Sequence, residues 1–128
     1  MVSDRVGDFI IRLKNAGAVK HDAIELPYSA YIESIAKKLR KLGFVGDIEK
    51  KDDRTLRVAL VYNEDGSARI RGVKRISKPG RRLYISHLEA HVVAGGTGAR
   101  IISTPKGILS DSEARRERVG GENLFEIW

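Results

Sequence analysis

The sequence predicts an α+β protein of two small subdomains, an N-terminal pair of helices on a small sheet and a C-terminal small sheet with a short helix. Apolar residues recur at helical spacing from Val6 to Leu13 and again from Ile32 to Leu42. From Leu56 the pattern changes to strand-like alternation. The second half then breaks into short extended runs separated by Gly and Pro, with one capped helix among them.

In chain order, Ser3 to Gly17 reads as the first helix. Val6, Phe9, Ile10 and Leu13 form its apolar stripe, Asp4 and Asp8 favour its N-terminal end, and Gly17 suits its C-terminal cap. An extended connection containing Ile24 and Leu26 follows and closes at Pro27. Ser29 is the N-cap of a second helix that buries Ile32, Ile35, Ala36, Leu39 and Leu42; Gly43 ends it, with Phe44 as the capping hydrophobe. Leu56, Val58 and Leu60 alternate along a strand, Asn63 to Gly66 turn, and Arg69 to Ile76 resume a strand.

Lys78-Pro79-Gly80 is a turn, because Pro fixes φ at the first central position and Gly tolerates φ > 0 at the second. A strand from Arg82 to Ile85, a short helix near Leu88 to Ala94 and a strand from Arg100 to Thr104 are expected next. Ser110 to Glu113 matches a capping box and opens a short helix through Arg118. Gly120-Gly121 ends that helix, and Leu124, Phe125 and Ile127 lie on a last strand. The subdomains are expected at residues 1–67 and 68–128, with the boundary between 63 and 78. A chain of 128 residues suffices for two small packed subdomains.

Composition narrows the function. With 41% hydrophobic and 32% charged residues the chain is globular, not a disordered tail. No apolar run approaches the roughly 20 residues of a spanning helix, so no membrane partner is expected. The N-terminus lacks the apolar core of a secretory signal, and the absence of cysteine removes disulfides and thiolate metal sites. The cytoplasm is the expected compartment.

Charge is distributed unevenly. Residues 1–67 hold 12 Lys/Arg against 11 Asp/Glu, whereas residues 68–128 hold 12 against 6. No carboxylate occurs between Asp65 and Glu89, while Arg69, Arg71, Lys74, Arg75, Lys78, Arg81 and Arg82 crowd into that interval. A surface built for solubility intersperses both signs, so this one points to a polyanion. Tyr84 adds an aromatic able to stack on a base or sugar. By contrast, Lys37, Lys38, Arg40 and Lys41 fit the solvated face of the second helix.

Ser103-Thr104-Pro105-Lys106-Gly107 leaves a strand as a donor-rich loop. Its hydroxyls can meet base edges and 2′-hydroxyls, and its Lys a phosphate. It is not a P-loop, since Lys106 precedes Gly107 and no Ser or Thr follows, and Gly96-Thr97-Gly98 lacks the third Gly of a dinucleotide fingerprint. His87 and His91 are spaced H-x-E-x-H, not as a zincin pair, and read as surface or packing residues. No metal site, cofactor or catalytic set is expected. A small phosphate-handling enzyme using Gly95–Gly98 and Lys106 is the rival from a different class.

Several blocks together resemble one family. Asp4 through Asn15 (DRVGDFIIRLKN), Arg75 through Gly80 (RISKPG), Ser103 through Gly107 (STPKG), Asp111 with Ala114-Arg115, and Gly120-Gly121-Glu122 occur in the order and spacing of bacterial-type small-subunit ribosomal protein eight. The resemblance covers essentially the whole chain. It implies an early-assembling, non-enzymatic protein of the small ribosomal subunit that binds the central domain of small-subunit ribosomal RNA, mainly through its C-terminal subdomain. Neighbouring ribosomal proteins are its other implied partners. Some bacterial members also repress their own operon, which makes the chain's own messenger RNA the alternative target.

On this resemblance Ser103, Thr104, Lys106 and Gly107 carry over as RNA contacts, and Glu122 matches a carboxylate that accepts from a nucleotide. Pro105 replaces the usual Ser and loses a hydroxyl and an N–H. Arg5 stands where Pro is common, Ala30 where a Lys often follows Ser29, and Arg100 where a small residue is usual. The resulting expectation places Arg75, Lys78, Arg82 and Lys106 on phosphates, with Ser103, Thr104 and Glu122 reading local RNA shape. Tyr84 and Arg100 join the RNA-binding set, and Arg12, Lys14 and Asn15 make secondary contacts.

Overall fold

The structure, a computed structural model, describes residues 4–128. Ser3, the expected start of the first helix, lies outside the described residues. The chain divides into two compact units, one formed by Asp8–Arg71 and the other by Gly72–Trp128 together with residues 4–7. Three α-helices and two antiparallel sheets make an α+β fold.

Helix α1 runs Arg5–Ala18, strand β1 Ala23–Pro27, helix α2 Ala30–Lys41, strand β2 Val45–Lys50 and strand β3 Thr55–Leu60. The first sheet has the order β1-β3-β2, with Ile24 opposite Val58 and Leu26 opposite Leu56. Those four residues are buried, as are Phe9, Ile10 and Leu13 of α1 and Ile32, Ile35 and Leu39 of α2. Helix α2 starts as its local chemistry requires: Ser29 is extended and its side chain accepts from the Ile32 N–H. It ends with Gly43 at φ 87 and the Phe44 N–H donating to the Leu39 carbonyl at 2.9 Å, a left-handed cap with a buried hydrophobe behind it.

The second unit contains β4 (Val73–Arg75), β5 (Tyr84–Ile85), β6 (Ala99–Thr104), β7 (Gly107–Ser110), α3 (Asp111–Glu117) and β8 (Gly121–Ile127). Its sheet has the order β4-β8-β6-β7, and β5 also pairs with β8. Adjacent residues Ile101 and Ile102 are both fully buried, so β6 is covered on both faces. Ile102 packs against Ala90, Ala114 and Ile85 on one side. Helix α3 opens on the expected capping box, with Ser110 accepting from the Glu113 N–H at 3.3 Å and Glu113 accepting from the Ser110 N–H at 3.1 Å. Arg118, at φ 55, turns the chain out of it.

Gly120 and Gly121 serve a purpose other than ending the helix. A Cβ on Gly121 would intrude on the Ser103 carbonyl, and one on Gly120 on the Ile85 carbonyl. The two glycines let β8 enter between the backbones of β5 and β6.

Four local expectations are corrected. The helix near Leu88–Ala94 does not form; two 3-10 turns, His87–Glu89 and Ala94–Gly96, replace it. Glu89 reaches back to the Ser86 N–H, Ala94, Gly95 and Gly96 all have positive φ, and His87 and His91 share no helix face. The strand expected over Arg69–Ile76 is divided, because the Arg69 N–H donates to Val61 whereas Gly72 exchanges both backbone bonds with Trp128. The strand expected from Arg82 contains only Tyr84–Ile85. Lys78 and Arg81 exchange backbone bonds across their turn, yet Gly80 is absent from the positive-φ residues, so the turn does not use the freedom glycine offers. Strand β1 forms on the expected extended connection, whereas strands β2 and β7 form where no extended segment was expected. No helix among the described residues is long and apolar enough to cross a membrane.

Candidate nucleic-acid interface

Strand pairing in the second unit brings distant residues into one row. Tyr84 of β5 is opposite Glu122 of β8, Glu122 is opposite Ser103 of β6, and Ser103 is opposite Ile108 of β7. Directly opposed residues share a face, with neighbouring strands about 4.8 Å apart. Tyr84, Glu122 and Ser103 therefore line one stripe across the sheet. Tyr84 is 72% exposed, open enough for a ring to stack on it.

Glu122 is held at the centre of that stripe. Its Oε2 accepts from the Ser77 hydroxyl at 2.5 Å and from Arg82 Nη1 at 2.9 Å. Partial burial favours the neutral acid, but the Ser77 hydroxyl and the Arg82 guanidinium outweigh it and hold the carboxyl below the usual range. A charged, acceptor-only group in a basic surface repels phosphate at its own position and accepts from N–H or O–H donors.

The loop stands at the end of β6. Thr104 is paired with Gly107 across a two-residue turn of Pro105 and Lys106, and Gly107 takes φ 109. The Thr104 hydroxyl donates to the Gly107 carbonyl at 2.8 Å and accepts from the Lys106 N–H at 3.1 Å. Its polar atoms are thus committed to shaping the loop. The Ser103 hydroxyl has no intramolecular partner among the described residues. Lys106 Nζ donates to Glu117 Oε2 at 3.1 Å, an exposed pair that tethers the loop to the end of α3.

Sequence-expected residues fall into three groups. Ser103, Glu122, Tyr84 and Arg82 come together, with Thr104, Lys106 and Gly107 on the adjoining turn and Lys78 exposed on the other basic turn. Arg75 and Arg100 are engaged inside the protein. Arg75 pairs with Asp4 and donates to the Leu124 carbonyl at 2.5 Å, its side chain only 11% exposed. Arg100 pairs with Glu126 at 3.1 Å from the opposite end of β6, four residues or about 13 Å from Thr104. Arg12, Lys14 and Asn15 belong to the other unit. There Arg12 is bonded to Asp8 at 3.0 Å and to the Glu25 carbonyl at 3.2 Å, and Lys14 and Asn15 are exposed. No cluster of His, Asp and Glu that could hold a metal ion occurs among the described residues.

Comparison with known proteins decides the family. A family model described as ribosomal protein S8 matches residues 4–128. This chain belongs to the ribosomal protein S8 family. "Small ribosomal subunit protein uS8" of Exiguobacterium sibiricum is 41% identical over 131 residues, covering 100% of this chain and 99% of the relative. The protein of that name from Chloroflexus aurantiacus is 42% identical over 99% of this chain and 98% of its own length. That of Desulfitobacterium hafniense is likewise 42% identical, with 99% and 98% covered. The S8 family is structural and non-enzymatic, which agrees with the absence of an expected catalytic set and disfavours the phosphate-handling alternative.

Within this S8-family chain, sequence reasoning passed over Ser77 and Asp4 as site-building residues. Ser77 is fully buried and touches Glu122, which is 45 residues away. The pairing of β8 with the chain before the 78–81 turn creates that contact, and no spacing rule foretells it. Arg116 and Arg118 were also passed over. Both are exposed beside Glu117, without a side-chain partner among the described residues. Their signal was present in the basic run after Ala114.

Proposed function

We propose that this protein is a structural component of the small ribosomal subunit that binds directly to the central domain of small-subunit ribosomal RNA. It acts early in assembly and contributes to the platform of the subunit beside neighbouring ribosomal proteins. The unit containing Gly72–Trp128 carries the binding surface. The observation that supports this most is the Tyr84–Glu122–Ser103 row, flanked by the Lys78–Arg82 turn on one side and the Lys106 loop on the other.

That arrangement divides the work. Lys78, Arg82 and Lys106 neutralise phosphates and fix the orientation of the RNA, while Ser103 and Glu122 read hydroxyl and amino groups. Tyr84 offers a stacking face. Readout of this kind suits a distorted RNA helix, since a regular A-form duplex hides its base edges in a deep, narrow groove. Arg116 and Arg118 extend the basic surface beyond the loop.

Filter binding of a central-domain transcript across a salt series tests the proposal. Four to six neutralised phosphates correspond to a slope of log K against log salt of roughly −4 to −5. A flat slope, or equal affinity for an unrelated RNA of the same length, would count against it.

A further inference from the structure

The buried hydroxyl of Ser77 has its proton fixed by its surroundings. The Leu83 N–H donates to Ser77 Oγ at 3.0 Å, so the hydroxyl sends its own proton to its other neighbour, Glu122 Oε2, at 2.5 Å. Arg82 Nη1 donates to the same oxygen at 2.9 Å. Glu122 Oε1 has no intramolecular partner among the described residues. The carboxylate is therefore clamped by one oxygen, and the other keeps its acceptor capacity.

Ser77 also closes the basic turn. Its N–H donates to the Asn123 carbonyl at 3.0 Å, and the Asn123 N–H donates to the Leu83 carbonyl at 3.0 Å. Through its side chain to Leu83 and its backbone to β8, Ser77 ties together both ends of the segment that carries Lys78, Arg81 and Arg82.

We propose that Ser77 is a positioning residue for RNA recognition: its hydroxyl orients the Glu122 carboxylate, while its backbone N–H, which a substitution keeps, holds the Lys78–Arg82 turn to β8. The proposal rests on the RNA-binding reading above. A carboxylate that swings between rotamers reads donors poorly, because the orientation must be restored at each binding event. Losing the hydroxyl also strips the Leu83 N–H of the acceptor the fold gives it. Ser77 touches no RNA in this scheme and acts through Glu122.

The test is a double-mutant cycle on the full chain, with central-domain RNA and an unrelated RNA of equal length as probes. Ser77→Ala should weaken central-domain RNA about tenfold, the scale of a hydrogen bond to a charged group, and leave the unrelated RNA and the salt slope unchanged. In a Glu122→Gln background the same change should cost less than about twofold, because the oriented charge is already gone. Circular dichroism confirms that each variant is folded. If Ser77→Ala is not, Ser77→Cys enters the same cycle. Equal losses in both backgrounds would show a merely structural hydroxyl and overturn the proposal. So would a Ser77→Ala protein that discriminates as well as the parent. A parent chain that binds both RNAs alike overturns the RNA reading and this role together, whereas the earlier outcomes overturn this role alone.

Discussion

Asp4 and Arg75, 71 residues apart in sequence, form a two-pronged ion pair, with Nε to Oδ2 at 3.0 Å and Nη2 to Oδ1 at 3.1 Å. The same Asp4 carboxylate accepts from the Gly7 N–H at 3.0 Å and so caps α1. A Cβ at residue 7 would collide with that carboxylate, which explains the glycine. One acidic group thereby ties the start of the chain to β4, and a base expected on phosphate is used to hold the fold.

Arg75→Ala should accordingly cost about 2–3 kcal/mol of stability, since it leaves the Asp4 carboxylate and the Leu124 carbonyl short of a donor in a mostly buried site. Urea denaturation measures this. Filter binding of the folded fraction should show an unchanged salt slope. An unaltered denaturation midpoint combined with a slope shallower by about one would return Arg75 to the phosphate-binding set.

Acid should weaken the same unit. Asp4 is pulled toward neutrality by burial, but the Arg75 hydrogen bond and the Gly7 N–H prevail and lower its pKa from 3.8. Glu122, with burial again opposing, is lowered from 4.5 by Ser77 and Arg82. A folded-state pKa below the unfolded one means the unfolded chain takes up protons first. Both contributions are fully present above about pH 5.5; that of Glu122 is lost as pH falls from 4.5 through its lowered value, and that of Asp4 as pH falls from 3.8 through its own. Thermal melts at pH 6 and pH 3.5 are the check. In Asp4→Asn the fall in melting temperature over this window should be smaller, and an equal fall would remove Asp4 from the account.

Gly121→Ala and Gly80→Ala should differ sharply. The new methyl at 121 meets the Ser103 carbonyl and Thr104 Cα, backbone atoms of a paired strand with no room to yield. Overpacking of this kind costs about 2–3 kcal/mol and pushes β8 away from β6. At Gly80 nothing lies within 4 Å and φ is not positive, so alanine should be neutral or stabilise by about 0.5 kcal/mol through the unfolded chain. Comparable melting temperatures for the two variants would contradict the close approach at Gly121.

The parts of the fold legible in sequence are those fixed by local chemistry. Ser29 and Gly43 bracket α2, and Ser110 with Glu113 opens α3, because capping groups lie within four residues of what they satisfy. Strands β2 and β7 were not legible. Val45–Lys50 contains Gly46 and Asp47 at a register shift, and Gly107–Ser110 becomes a strand only because β6 lies beside it. The Leu88–Ala94 segment failed as a helix because Glu89, Ala90 and His91 bond within one short turn and Ala94, like Gly95 and Gly96 after it, takes positive φ. At the candidate site, the loop and Glu122 stood out as types of residue, whereas the Ser77–Glu122 and Asp4–Arg75 contacts depend on strand order, which spacing does not encode.

The loop itself should separate three roles. Lys106→Ala removes a charge whose only intramolecular partner among the described residues is the exposed Glu117, so stability should change by less than about 0.5 kcal/mol. Binding of cognate and unrelated RNA should fall by similar factors, with a salt slope shallower by about one. Ser103→Ala deletes a hydroxyl that the fold does not use. It should leave stability and salt slope alone and weaken only the cognate RNA, by about five- to tenfold, since a nucleotide group then loses its partner. Thr104→Val acts differently, because its hydroxyl both accepts from Lys106 and donates to Gly107. It should cost about 1 kcal/mol of stability and loosen the turn that presents Lys106, so its binding defect should be partly shared by every RNA. Melting curves and filter binding on the three variants distinguish these patterns. If Thr104→Val matched Ser103→Ala in both assays, the hydroxyl at 104 would be reading RNA directly and its bonds within the loop would be incidental to function.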